Sequence, residues 1–300
     1  MQLNTSKNKI KKPFSDQAFN TVLMIIATVV LILVLYPMIY VLSSSFSSGY
    51  AITSGRVYLW PVDFTMAAYK EVLKENAIWL GYANSIFYTV VGTLFSLFLT
   101  VFGAYPLSKK DLKGKGIFTF IIAFTIWFSA GTVPTYLNFV ELGLLNTRTA
   151  VILMSACSGS YIVIMRSFFQ SVPESLEEAA RIDGAGHFQI LWKIYLPLSK
   201  AAIATIGLMY GIARWNAYFW PMILLSSANE LQPLQVVLKR ILLEVTTSLT
   251  AGEGGETFTN YSAKMMSYAI IVVSILPMLM VYPFVQKYFA KGIMIGSVKG

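Results

Sequence analysis

The chain is 300 residues long, 56% hydrophobic and only 12% charged, with a net charge of +9. Soluble domains carry charge on about a quarter of their residues, so this composition excludes an ordinary soluble protein and leaves a multi-span membrane protein. One cysteine, Cys157, and one histidine, His187, exclude an intrachain disulfide and leave too few ligands for a zinc or haem centre, so no metal site is expected.

Residues 1–19 form a basic leader containing Lys7, Lys9, Lys11 and Lys12. Beyond it, six stretches approach the roughly 20 apolar residues that a bilayer crossing needs: 20–42, 84–106, 117–139, 150–169, 201–224 and 266–289. The pattern predicts an all-α integral membrane protein, with six transmembrane helices in one domain over 20–300. The first run is too long for a signal peptide and lacks a small-x-small cleavage site, so it reads as a retained span. In the long connection 43–83, Met66, Tyr69, Val72 and Leu73 recur at helical spacing, predicting an amphipathic helix against the outer membrane surface. Trp60-Pro61 before it reads as an interfacial anchor.

The second span opens with Asn84-Ser85 and carries Tyr88, Thr89, Thr93, Ser96 and Thr100, a polar share suited to facing other helices or a pathway. In the third, Pro134 is expected to open the helix by removing one backbone hydrogen bond. Ser155, Ser158, Gly159, Ser160 and Tyr161 in the fourth fit close helix packing and pore lining alike.

A polar loop, 171–199, follows. Ser171-Val172-Pro173-Glu174 has the serine-to-glutamate spacing of a reciprocal N-terminal cap. It predicts a short helix from about 172, with Leu176, Ala179 and Ala180 on one face and a break at Gly184 and Gly186.

The fifth span holds Gly207-x-x-x-Gly211, a close-contact pattern, and Arg214, the one charge deep inside a span. Some 13 residues from the helix start, it lies about 20 Å in. A lipid-facing arginine there costs on the order of 2.5–3.5 kcal/mol, so Arg214 faces the bundle interior or water. Backbone carbonyls and a solute are both open as its partners. Trp215, Asn216, Tyr218 and Trp220 beside it combine stacking faces with amide and hydroxyl groups, which suits sugar rings. On a continuous helix, 214 and 218 share one face while 216 and 220 share another. Arg214 and Tyr218, with Asn216 at the margin, are therefore the candidate substrate-binding residues, and a guanidinium suits the carboxylate of a uronate. The last connection, 225–265, ends in Ala251-Gly252-Glu253-Gly254-Gly255-Glu256, flexible by composition.

Lysine and arginine number 15 across the leader, the 107–116 connection, the 166–200 region and the C-terminal tail, against 7 in the other connections. Cytoplasmic loops hold the excess, so both termini and the 171–199 loop are expected in the cytoplasm. The positive charge is thus a topology signal and calls for no nucleic acid. All 14 acidic residues fall outside the spans, which argues against a proton relay through buried acids. Neither a nucleophile with its base nor a Gly-x-x-x-x-Gly-Lys-Ser/Thr loop is present, so the chain is expected to be no enzyme and to take its energy from another chain.

Glu178-Ala179-Ala180, then Asp183-Gly184-Ala185, then Leu196-Pro197 with the proline 19 residues after Glu178, resembles the cytoplasmic loop motif of ATP-binding-cassette importer permeases. Tyr36-Pro37, Asn84-Ser85-Ile86-Phe87-Tyr88, Ala104-Tyr105-Pro106-Leu107-Ser108, Leu142-Gly143-Leu144-Leu145-Asn146-Thr147 and Trp215-Asn216-Ala217-Tyr218 extend the resemblance. It falls within the maltose-permease type, nearest the oligosaccharide and aldouronate permeases, and covers all but 1–19 and 240–265 well. The resemblance implies a type I importer permease fold, an oligosaccharide cargo and a place in the cell membrane. It implies that Glu178, Ala179, Ala180, Asp183, Gly184, Ala185 and Gly186 form a coupling helix seated on an ATPase, and that Ser297, Val298, Lys299 and Gly300 touch the ATPase. Implied partners are a second homologous permease, two ATPase subunits that use ATP and Mg, and an extracytoplasmic sugar-binding protein. This chain itself is expected to bind no cofactor. A self-sufficient secondary sugar transporter and a permease for a non-carbohydrate solute are the alternatives.

Overall fold

The computed structural model describes residues 14–250, 264–280 and 282. The glycine-rich 251–256 stretch and the tail Ser297–Gly300 lie outside these. Among the described residues all regular structure is helical, and these residues fall into two compact units, within 1–70 with 248–272, and within 71–247 with 273–300.

In the first unit, α1 (Phe14–Ser45) is the expected first span. Its side chains from 18 to 39 are exposed all round, as befits a helix whose surroundings are lipid. At its end Ser43, Ser44, Ser45 and Ser47 are buried. They close the following segment on itself: Ser43 Oγ donates to Leu59 O at 2.7 Å, and Val62 N donates to Ser47 Oγ at 3.0 Å. Ser48 caps α2 (Gly49–Thr53) by accepting from Ala51 N at 3.2 Å. The amphipathic helix expected in this connection is α3 (Ala67–Lys74). It buries Ala68 and Val72 but leaves Leu73 exposed, and Met66, also exposed, falls just before its start, so only part of the expected face is covered.

The second unit is built on α4 (Asn76–Ser108), an unbroken helix of 33 residues. The next expected spans are broken. Span three is α5 (Lys115–Trp127) and α6 (Thr132–Glu141), bent by 114°; span four is α7 (Arg148–Met154) and α8 (Gly159–Gln170), bent by 58°. Pro134 does not open a continuous helix: the break falls upstream, at Gly131 with φ +85°. Pro134 then sits in the first turn of α6, where its missing N–H has no intrahelical partner to lose.

After α8 come α9 (Glu174–Ile182), α10 (His187–Ile190), a π-helical turn (Leu191–Tyr195) and α11 (Leu196–Leu198). The π turn precedes Pro197, which has no N–H to continue an α-helical ladder. The expected fifth span is also interrupted. α12 (Lys200–Trp215) ends at Asn216, and α13 (Phe219–Leu224) begins after Tyr218. The 225–265 connection contains α14 (Leu234–Thr250), whose Leu234, Val237 and Leu238 are buried at i, i+3 and i+4. α15 (Lys264–Met280) is the described part of the sixth span.

Lipid tails are as apolar as leucine, so helices in a membrane associate through close packing. The core joins α4, α8, the π turn and α12 through Ala104, Met165, Phe169, Leu191, Ala202 and Ile206, all buried. Gly207 lies so close to α4 that a Cβ there would be 3.0 Å from Leu97 Cδ1, and one on Gly159 would be 3.0 Å from Thr125 Oγ1 on α5. Close packing therefore accounts for both glycines.

Candidate functional site

Two places in the second unit collect the chemistry. The first is the polar helix α9. Its N-cap is Pro173, with no side-chain cap. The reciprocal Ser171/Glu174 cap does not form, because Ser171 ends α8 and donates to Phe168 O at 2.7 Å. Glu174 pairs instead with Lys110 at 2.6 Å.

At the other end Asp183 N donates to Ala179 O at 3.1 Å, and Ala185 N to Ala180 O at 2.9 Å. The turn relies on Gly184, at φ +79°. Gly186 has an extended φ of −75° and serves as N-cap of α10, so it does not supply the break. Glu178, Ala179, Asp183, Gly184 and Gly186 are exposed, as is Ile182 at 87%. Ala180 and Ala185 pack against the core beneath, so the expected common face divides: Leu176 and Ala179 are exposed, Ala180 half-buried.

Glu177, one residue before the sequence motif, is buried. It accepts from Lys109 Nζ at 2.6 Å, Arg181 Nη2 at 2.9 Å and Tyr195 Oη at 2.5 Å. Lys109 Nζ also lies 4.2 Å from the Tyr105 ring centroid and 4.0 Å from that of Tyr195. Burial pushes the Glu177 carboxyl up, but hydrogen bonds from Lys109, Tyr195 and Arg181 outweigh it and hold the group at about 2, against an ordinary 4.5. A carboxylate with a depressed folded value stabilises the fold above its unfolded value and loses that contribution as pH falls. The anchoring of α9 is thus expected to be constant from pH 8 to 5 and to fade between about 4.5 and 2. Amide exchange of α9 measured across that range checks this; a loss of protection already at pH 6 would contradict it.

The second place is a cavity of about 230 Å³ at the break between α12 and α13, walled by Tyr88, Ser155, Arg214, Asn216, Tyr218 and Trp220 among others. The break overturns the face assignment made for a continuous helix. Because the chain leaves helical geometry at Asn216–Tyr218, residues 214, 216, 218 and 220 all reach one cavity.

Arg214 is buried, and its Nη2 donates to Ser96 Oγ at 2.9 Å, Ile152 O at 3.1 Å and Ser155 O at 2.8 Å. The two carbonyls belong to the end of α7, where the helix break leaves them without intrahelical donors. A cation there also meets the negative end of the helix dipole. Gly92 makes the room: a Cβ on it would sit 2.3 Å from Arg214 Nη1. Asn216 Nδ2 donates back to Ile212 O at 3.0 Å. Tyr218 carries Lys239 Nζ 4.3 Å above its ring centroid. Among the described residues no carboxylate lines the cavity and no group of metal ligands occurs.

Glu177, Lys109, Gly92 and Lys239 were not singled out from the sequence for these roles. Only the Glu177/Arg181 spacing of four residues gave a local signal for any of them.

Broken helices around a cavity that combines aromatic and apolar walls with a few polar groups, with a polar helix-turn-helix on the same unit, are the build of a solute permease. The family described as "Binding-protein-dependent transport system inner membrane component" matches residues 77–295, and the chain belongs to it. It is 40% identical over 266 residues to Protein LplC of Bacillus subtilis strain 168, covering 88% of this chain and 89% of that one. It is also 40% identical over 266 residues to the polygalacturonan/rhamnogalacturonan transport system permease protein YtcP of the same strain, covering 88% and 92%. A crystal structure of a bacterial ABC transporter involved in the import of the acidic polysaccharide alginate contains a chain 46% identical to this one. It superposes with a TM-score of 0.84 over 93% of this chain and 99% of that chain. The chain is therefore a membrane-embedded permease subunit of an ABC importer with the type I fold.

Proposed function

We propose that this permease carries acidic oligosaccharides, with Arg214, Asn216 and Tyr218 among the residues that meet the cargo. The observation that carries the reading is the cavity at the α12–α13 break, where Arg214 forms part of the wall, Lys239 lies on Tyr218, and no carboxylate among the described residues opposes them. Aromatic faces at Tyr88, Tyr218 and Trp220 suit the apolar faces of sugar rings, and the relatives named for polygalacturonan and alginate carry uronate polymers.

In this reading the exposed residues Glu178, Ala179, Asp183 and Gly184 of α9 and its turn seat on an ATPase subunit, together with Ala180, Ala185 and Gly186. The tail Ser297–Gly300 inserts against the same partner. ATP and Mg are used there, not on this chain. A second, homologous permease supplies the other half of the pathway, and an extracytoplasmic binding protein delivers the cargo. Both termini and α9 face the cytoplasm, in keeping with the lysine and arginine distribution. ATP-driven closure of the ATPase pair would move α9 and switch the cavity from one side of the membrane to the other.

The test is uptake by the complete complex in vesicles, comparing a galacturonate trimer with a neutral xylotriose. ATP-dependent uptake of the acidic trimer in excess is the expected result; uptake of neither, with an intact complex, would reject the carbohydrate reading. Gly184→Val probes the docking role. At φ +79°, with nothing within 4 Å of a Cβ, the substitution is strained without being crowded, at about 1–2 kcal/mol for a single left-handed residue. Folding should survive while stimulated ATP hydrolysis falls severalfold. Unchanged stimulation would place the coupling elsewhere.

A further inference from the structure

We infer that Lys109 and Glu177 form the joint through which movement of α9 is delivered to α4, making α4 the transmission element between the ATPase side and the cavity. The inference rests on the importer reading above and adds to it a pair of positioning residues.

The covalent attachments of α9 are poor transmitters. It is joined to α8 by a three-residue turn ending at Pro173, and to α10 through Gly184 in a left-handed conformation. Its firm attachment is made by side chains. The inner side places Glu177 against Lys109, with side-chain exposures of only 9% and 10%. The same carboxylate accepts from Tyr195 on the π turn, and Lys109 is wedged between the rings of Tyr105 and Tyr195. An ion pair this enclosed, with its remaining lone pairs bonded, resists separation because either partner alone would be a buried, uncompensated charge. The outer side of α9 presents Glu178 and Ile182, both exposed. One helix thus has a side free for a partner and a side pinned to this chain.

Lys109 is the C-cap of α4, so the joint acts on the end of a rod. At 1.5 Å per residue its 33 residues extend about 50 Å. Along that length α4 holds Tyr210 through Thr100 at 2.9 Å and the Arg214 tie through Ser96 at 2.9 Å. At the far end Asn84 Nδ2 donates to Glu230 O at 2.8 Å, and Ser85 Oγ accepts from Leu234 N at 2.8 Å. A shift at Lys109 therefore reaches the cavity wall and the 230–234 segment through one continuous helix.

The experiment uses the complete complex in vesicles with E177Q, K109M, their double variant, the milder Y195F, and K110Q as an exposed-pair control. It compares basal ATP hydrolysis with hydrolysis stimulated by binding protein and cargo. E177Q and K109M should each lower stimulation on the order of tenfold, within the 5–150-fold range of typical coupling between sites, with basal hydrolysis retained. The double variant should be no worse than either single one, since the two act as a unit. Y195F should lose about twofold to threefold and K110Q nothing. Should the charge variants fail to assemble, Y195F against K110Q decides on the same terms. Independent, additive losses or full stimulation in every variant would overturn the joint. A wild-type complex without stimulation would instead strike the importer reading itself.

Discussion

Gly92→Val is expected to destabilise the protein by about 3 kcal/mol, at the upper end of what overpacking costs. A Cβ at this position would lie 2.3–2.7 Å from three guanidinium atoms of Arg214. The far end of an arginine ordinarily swings aside at small cost. Here it is fastened by bonds to Ser96, Ile152 and Ser155, and hydrogen bonds to charged groups are each worth roughly 1.5–3 kcal/mol. Moving the guanidinium also bares the carbonyls at the end of α7. Thermal unfolding of the purified protein in detergent measures the loss. A second variant makes the cause specific: Gly92→Val combined with Arg214→Gln should be less unstable than the two separate losses added, because the shorter side chain no longer occupies the contested space. A simple sum, or a stable Gly92→Val protein, would show that the guanidinium is not fixed in this position.

The same residue explains how much could be read from the chain alone. Hydropathy marked the apolar stretches, since a bilayer imposes one length on every crossing. It could not locate the breaks, because those are made tolerable by partners distant in sequence. The α7 break is satisfied by Arg214, 59 and 62 residues away, and the N–H of Ser158 at the same break donates to Tyr210 Oη, 52 residues away. No local pattern carries that information. The interruption at Asn216–Tyr218 was likewise hidden, and with it the gathering of four consecutive even-numbered positions around one cavity. The polar loop was legible because its signals are local: a helix, a left-handed glycine and a fixed interval to Leu196-Pro197. Even there the local rule for the helix start failed, since Ser171 was already committed to the end of α8. Glu177 stood beside the motif residue Glu178, yet only the three-dimensional approach of Lys109, 68 residues earlier, separates the inward carboxylate from the outward one.

Arg214→Gln is expected to reduce uptake of a galacturonate trimer about 30-fold while changing uptake of a neutral trimer far less. The wall of the cavity holds this guanidinium, yet its Nη2 is already shared among three acceptors. Its effect on a cargo is therefore argued from charge rather than from a bidentate bond. A carboxylate some 8 Å away, at an effective dielectric constant of about 20, gains roughly 2 kcal/mol from one positive charge, or about 30-fold. Glutamine can still donate toward the α7 carbonyls, but it carries no charge. Comparing two cargoes on the same vesicles cancels any loss of folded protein, which lowers both uptakes equally. Lys239→Gln supplies an independent arm, because Lys239 touches Tyr218 from α14 and plays no part in the Arg214 tie. Being less enclosed, it should shift the acidic-to-neutral ratio in the same direction by a smaller factor, on the order of fivefold or about 1 kcal/mol. Tyr218→Ala should instead lower both uptakes together, since a ring face stacks on any sugar. If neither charge variant moves the ratio, Arg214 serves the end of α7 alone, Lys239 serves only the Tyr218 ring, and the cations of this cavity do not select the cargo.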